Sequence, residues 1–314
     1  MTALDLVFDV VLATVMPVLV WRILASKDLA SSVVLFVALG LVSALAWARL
    51  HAPDIALVEA AVGAGLTGAL LMNALSWIGA EAGVTEPVSR ATRVGVGILV
   101  TAVGVGLAVA VIHLTQPVGL AHEVDARLAD AHVDYPVTAV LLSFRGYDTL
   151  LEIAVLVTAA LGARLYAPGS VPGGDDPLSP HPRVLARVLT PIVVLVAGYL
   201  LWRGASAPGG AFQAAAVLAG GGILLVLARV LRPPRMSSIA VRAALVAGLA
   251  WFIAVAALPL ATGAQLLEYP SASAKQLIIS IEVALTLSIS IVLLMFFPGE
   301  PAPGEAARHP EDRW

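Results

Sequence analysis

Cysteine is absent from all 314 residues. Disulfides, thiolate metal sites and cysteine-held iron–sulfur clusters are therefore excluded. Charge is scarce as well: 12 % of residues are Asp, Glu, Lys or Arg, against about a quarter in soluble domains. The net charge of −3 comes with no basic patch, so nothing suggests a nucleic acid or another polyanion as partner. The first residues carry Asp5 and Asp9 rather than a basic stretch, so they do not read as a cleaved leader. P-loop, dinucleotide and nucleophile-elbow signatures are missing too, which leaves no case for a soluble-type enzyme.

What the chain has is apolar length. Sixty per cent of it is hydrophobic and the mean hydropathy is +0.95. The apolar runs are mostly about twenty residues long, which suits helices crossing a bilayer rather than the short alternating strands of a barrel. The expected fold is an all-α polytopic membrane protein with about nine spans: 5–24, 31–48, 54–78, 93–114, 147–166, 185–202, 210–231, 238–258 and 276–297.

The charges test that count. After odd-numbered spans come Arg22, Lys27, Arg90, Arg93, Arg164, Arg183, Arg187, Arg229, Arg232, Arg235 and Arg242, with Arg308 and Arg313 in the tail. The other side holds Arg49, Arg127, Arg145, Arg203 and Lys275. The positive-inside rule places the N-terminus outside and the C-terminus in the cytoplasm of a cell that carries this multi-pass protein in its inner (plasma) membrane. Residues 115–135, with five charges, should form an external loop with room for a short helix, and 167–183 read as a Pro/Gly/Asp-rich cytoplasmic linker. The linker divides a five-helix region, 1–166, from a four-helix region, 184–314.

Three stretches carry chemistry. In Phe144-Arg145-Gly146-Tyr147-Asp148-Thr149-Leu150-Leu151-Glu152, helical spacing puts Arg145, Asp148 and Glu152 on one face, with Glu152 inside the apolar part. An ionised carboxylate is expensive there and implies a use. In the third span Pro53 suits the first turn and Asp54 its positive dipole end, a structural reading. Glu59 lies deeper, amid Ala56, Ala60, Gly63, Ala64 and Gly68; it reads either as a buried hydrogen-bonder or, as expected here, as part of an ion path. In the last span Lys275, Glu282, Thr286 and Ser290 share a face that needs protein or water opposite it, as packing or as a second polar passage. Between two back-half spans, Pro208-Gly209-Gly210-Ala211-Phe212-Gln213 can hold a tight turn or a broken helix end. His51, His113, His122 and His132 match no metal spacing, so no metal is assigned.

These motifs have a family counterpart. The run from Ala52 to Gly65, together with Phe144–Thr149 and Glu152, resembles the small D and E subunits of membrane-bound hydrogenases and the C-terminal region of the large A subunit of Mrp-type cation/proton antiporters. Leu189-Thr190-Pro191, Gly198-Tyr199, Pro208–Gln213 and Glu282–Thr286 are similar to the B subunit of the Mrp antiporters. Two departures stand out: Ala211, Ala214 and Ala215 replace glycines of the family's loop, and Ala205-Ser206 lie where a histidine is common. The resemblance implies a fusion of the two pieces with no cofactor. It implies other Mrp-type or complex-I-like subunits as partners in the bilayer, and Na⁺ or another monovalent cation and H⁺ as cargo. Carboxylates matching Glu59, Asp148 and Glu152 are implied in ion passage, beside Asp54 and Arg145. A redox-driven complex of the hydrogenase or complex-I kind is the alternative setting, and a purely structural subunit is the rival role.

Overall fold

The computed structural model describes residues 2–78, 89–114, 119–166 and 180–297. Most of the expected linker, 167–179, and the tail with Arg308 and Arg313 lie outside the described residues. Among the described residues the chain is helical and contains no strand. It is a polytopic membrane protein: eight helices are long and apolar enough to cross a bilayer.

In chain order the helices are α1 (Ala3–Ala25), α2 (Leu29–Arg49), α3, α4 (Arg90–His113), α5 (Gly146–Tyr166), α6 (Pro180–Arg203), α7 (Ala211–Leu227), α8 (Ile239–Ala257) and α9 (Ala274–Phe296). α3 is composite: Pro53–Val58 is α-helical, Glu59–Leu66 opens into wide π turns, and Thr67–Ile78 is α-helical again. α7 is shorter than the expected span 210–231. It starts after Gly209 and Gly210, both at positive φ, and ends where Arg229 turns left-handed at φ 53°. The expected external loop does hold short helical turns, Ala121–Ala126 and Leu128–Ala131.

Helix starts follow local chemistry. Thr2 and Asp5 form a reciprocal capping box on α1. Asp28 caps α2 by accepting from the Ser31 amide at 2.9 Å and hydroxyl at 2.5 Å. Asp5 and Asp9 are not free interfacial charges. Arg49, at the end of α2, donates to both oxygens of Asp9 (2.7 and 3.1 Å) and lies 3.7 Å from Asp5, tying α1 to α2.

The two halves share one core. α9 is the most buried span, packed against α7, α8 and, from the front half, α5. Ile278, Ile281, Leu285 and Ile289 fill its inner side together with Phe252 and Leu245 of α8 and Ile153 of α5. Gly248 lets α8 come so close to α9 that an added Cβ would sit 2.6 Å from Ser288 Cβ, and the Ser288 hydroxyl donates to the Leu245 carbonyl at 2.6 Å. α7 lies against both the first turns and the π segment of α3. By contrast α4 has no buried residue.

Candidate functional site

At the seam between the halves is a cavity of about 350 Å³. Its walls are Asp54, Ile55 and Val58 of α3, Thr149 and Glu152 of α5, and Glu282, Leu285 and Ile289 of α9, closed by Gly209, Gly210, Phe212 and Gln213. The stretch before α5 completes it. Pro136–Ala139 is a helical turn and Val140–Phe144 a π turn, and both fold inward, so that Val137, Thr138, Leu141 and Leu142 also face the cavity.

The turn between α6 and α7 is built by glycine. α6 ends at Arg203, and the Gly204 and Gly210 amides both donate to the Leu200 carbonyl (3.2 and 2.9 Å). Gly209 has φ 150° and Gly210 φ 113°, where L side chains are strained. An added Cβ on Gly204 would stand 2.5 Å from Gly210 Cα, so this turn needs the close backbone approach that the family pattern implies. The alanines at 211, 214 and 215 fall inside helix α7, where a methyl group is accommodated; Ala214 and Ala215 are fully buried. The departures from the family loop therefore spare the positions that must be glycine.

Asp54 is the hub of the seam. It accepts from the Tyr135 hydroxyl, from the Gly209 amide at 3.0 Å and from Gln213 Nε2 at 3.4 Å. Neighbouring bonds reinforce the join: the Thr138 hydroxyl donates to the Gly204 carbonyl at 2.5 Å and the Asp134 amide to the Ala205 carbonyl at 3.0 Å. Burial, then the bond to Asp54, hold the Tyr135 phenol above its ordinary value near 10. The folded chain thus favours the neutral phenol, a contribution complete below about pH 10 and lost as pH rises beyond it. Tyr135→Phe is expected to cost about 1–2 kcal/mol at neutral pH. It should also flatten the fall in thermal stability of the purified chain at about pH 9–11, measured in detergent. Equal alkaline sensitivity of both forms would reject Tyr135 as the titrating group.

Glu282 is 4 % exposed. The Ala211 amide, first in α7, interacts with its carboxylate, and an added Cβ on Gly210 would lie 3.0 Å from Glu282 Oε1. Thr286 is also buried, and its hydroxyl donates to the Glu282 carbonyl at 2.7 Å. Lys275 leaves the expected stripe. It lies in the first turn of α9, its side chain 53 % exposed and 3.9 Å from Asp134.

Of the expected front-half trio, Glu152 alone reaches the cavity. Arg145 breaks the helix at φ −131°, so α5 begins after it, and the Arg145–Asp148 pair, at 2.7 Å, lies exposed on the outer surface. Glu59 starts the π segment half-buried over Gly63, where an added Cβ would collide with its carboxyl group, and it does not line the cavity. Pro208 helps make the turn without facing the cavity. Sequence reasoning missed Tyr135 and Thr138. The available signal was an aromatic hydroxyl fixed in extended backbone by the following Pro136.

A family model described as a domain related to MnhB subunit of Na⁺/H⁺ antiporter matches residues 181–298. A second, described as the D subunit of MBH, matches residues 14–80. Among solved structures, a chain of "Structure of Mrp complex from Dietzia sp. DQ12-45-1b" superposes with a TM-score of 0.73 over 94 % of this chain, at 23 % identity. The chain is an Mrp-type antiporter subunit. The likeness to the solved structure is one of fold, and the Mrp-type subunit spans about a third (35 %) of the length of the chain it matches there. No curated protein matches it. Both segments that match family models contribute to the cavity, one through Asp54 and Val58 and the other through Gly209, Gln213 and Glu282.

Proposed function

We propose that this subunit lines a path for a monovalent cation and H⁺ at the seam of its two regions, 1–166 and 184–314. It would work inside a multisubunit Na⁺/H⁺-type antiporter of the plasma membrane. The observation that carries the reading is the single cavity that joins Glu152 to Glu282 beside a broken-helix turn. Carboxylates at such depth mark ion and proton routes. A protonated carboxyl gives up its proton as a cation reaches its oxygens, and the reverse step reloads it, so one group serves both ions in turn. Glu282, next to the first amide of α7, and Glu152, at the other side of the cavity, are assigned that exchange. Asp54, already holding three donors, is assigned to keep the turn in place.

The match to the D subunit of MBH favours a second setting, in which the same path serves a redox-driven complex. Exchange by vesicles without an electron donor separates the two. Cation/proton exchange in everted vesicles carrying the whole complex tests the path itself, with assembly followed on native gels. Glu152→Gln should lose most exchange, while Glu59→Gln, outside the cavity, should stay within about twofold of wild type. Normal exchange by an assembled Glu152→Gln complex would remove Glu152 from the path.

A further inference from the structure

One side of α5 is left uncovered by the rest of the chain. Arg145 and Asp148 pair there with side chains 66 % and 47 % exposed, and Glu152, one turn further into the span, is exposed as well. Leu151 and Val155 flank it at 63 % and 66 % exposure. Apolar groups on that surface suit lipid; a carboxylate does not, because hydrocarbon cannot solvate it. Glu152 has neither hydrogen bond nor ion pair with the described residues, and the nearby guanidinium is already held by Asp148. Since Glu152 also lines the cavity, the cavity reaches the outer surface of α5 at this point.

We propose that the α5 face centred on Glu152 docks a helix of a different membrane subunit, one bearing a basic or hydrogen-bonding side chain at the depth of Glu152. Charge selects this occupant. Lipid would leave the carboxylate in hydrocarbon. A second copy packed about a two-fold axis through this face would set Glu152 against Glu152, a like-charge contact. A different subunit with a complementary group satisfies the carboxylate and closes the side of the cavity. The inference needs the membrane placement of α5 and not the ion path, so the two stand or fall separately.

The test uses the full complex in its own membrane, with a photo-crosslinking amino acid at Leu151 or at Val155. The expected product joins this chain to another subunit, through a membrane-spanning peptide that contains a basic or hydrogen-bonding residue, identified by mass spectrometry. Adducts with lipid alone, with a second copy of this chain, or with a wholly apolar peptide overturn the proposal. Glu152→Lys points outward and leaves the core unchanged, so it should reduce the crosslink from Leu151 about tenfold or more. An undiminished crosslink in that variant overturns the proposal too. Because crosslinking is read without transport, an inactive ion path and a missing interface give different results.

Discussion

Glu282→Gln in the assembled complex is expected to lower cation/proton exchange about tenfold or more, with assembly intact. The side chain is 4 % exposed, so its substitution must keep shape to be informative. Glutamine does so: its carbonyl oxygen can still accept from the Ala211 amide at the start of α7, and Gly204 and Gly210 still leave room for it. What glutamine cannot do is release a proton or carry a charge. A tenfold loss corresponds to about 1.4 kcal/mol, less than the usual worth of a charged group acting directly in a buried polar site. Everted vesicles provide the rate and native gels the assembly. Exchange at the wild-type rate from an assembled complex would rule Glu282 out as a carrier and leave it as packing at a helix end.

Gly210→Ala is expected to destabilise the chain by about 2–4 kcal/mol. Gly210 has φ 113° and ψ −170°, a region almost confined to glycine, where other residues are strained by about 1–3 kcal/mol. The new methyl group would also stand 3.0 Å from Glu282 Oε1 in a turn with no slack. Relief would require moving the start of α7, and with it the Gly209 amide that Asp54 holds. Gly220→Ala is the matched control. It sits within the same helix with open space around its Cβ, so the exchange should be neutral or stabilising by about 1 kcal/mol. Thermal unfolding of the purified variants in detergent, followed by tryptophan fluorescence, compares them. A Gly210→Ala chain as stable as wild type would mean that the turn relaxes freely.

How far the sequence carried depends on the range of the interaction. Span positions were legible because they rest on composition along one helix: the expected 93–114 and 276–297 fall on Arg90–His113 and Ala274–Phe296. The end of α7 was not, since apolar Val230 and Leu231 continue the pattern past a left-handed Arg229 that closes the helix. Glu152 and Glu282 stood out as carboxylates in apolar runs, and both face the cavity. That they share one cavity was hidden, because periodicity describes a helix and not its neighbours. Asp54 shows the limit most clearly. Its place in the first turn of a helix was readable, yet its donors lie 81, 155 and 159 residues away. Arg145 failed for a local reason: helical spacing was assumed through a residue that breaks the helix, so its guanidinium turned outward with Asp148.

The π segment of α3 carries a consequence for how this region tolerates length change. Wide turns hold more residues than α turns, so Glu59–Leu66 stores surplus chain inside a continuous rod. Deleting one residue there could let the rod tighten into ordinary α geometry without leaving a gap. The shortened rod would keep its hydrogen bonds, but everything beyond it would be re-aimed by about 100° relative to Pro53–Val58. Gly68, which now gives space to Val37 of α2, would point elsewhere. Asp54 would stay fixed to the α6–α7 turn while Thr67–Ile78 rotated against α2, so α3 acts as a phase setter between its two packed ends.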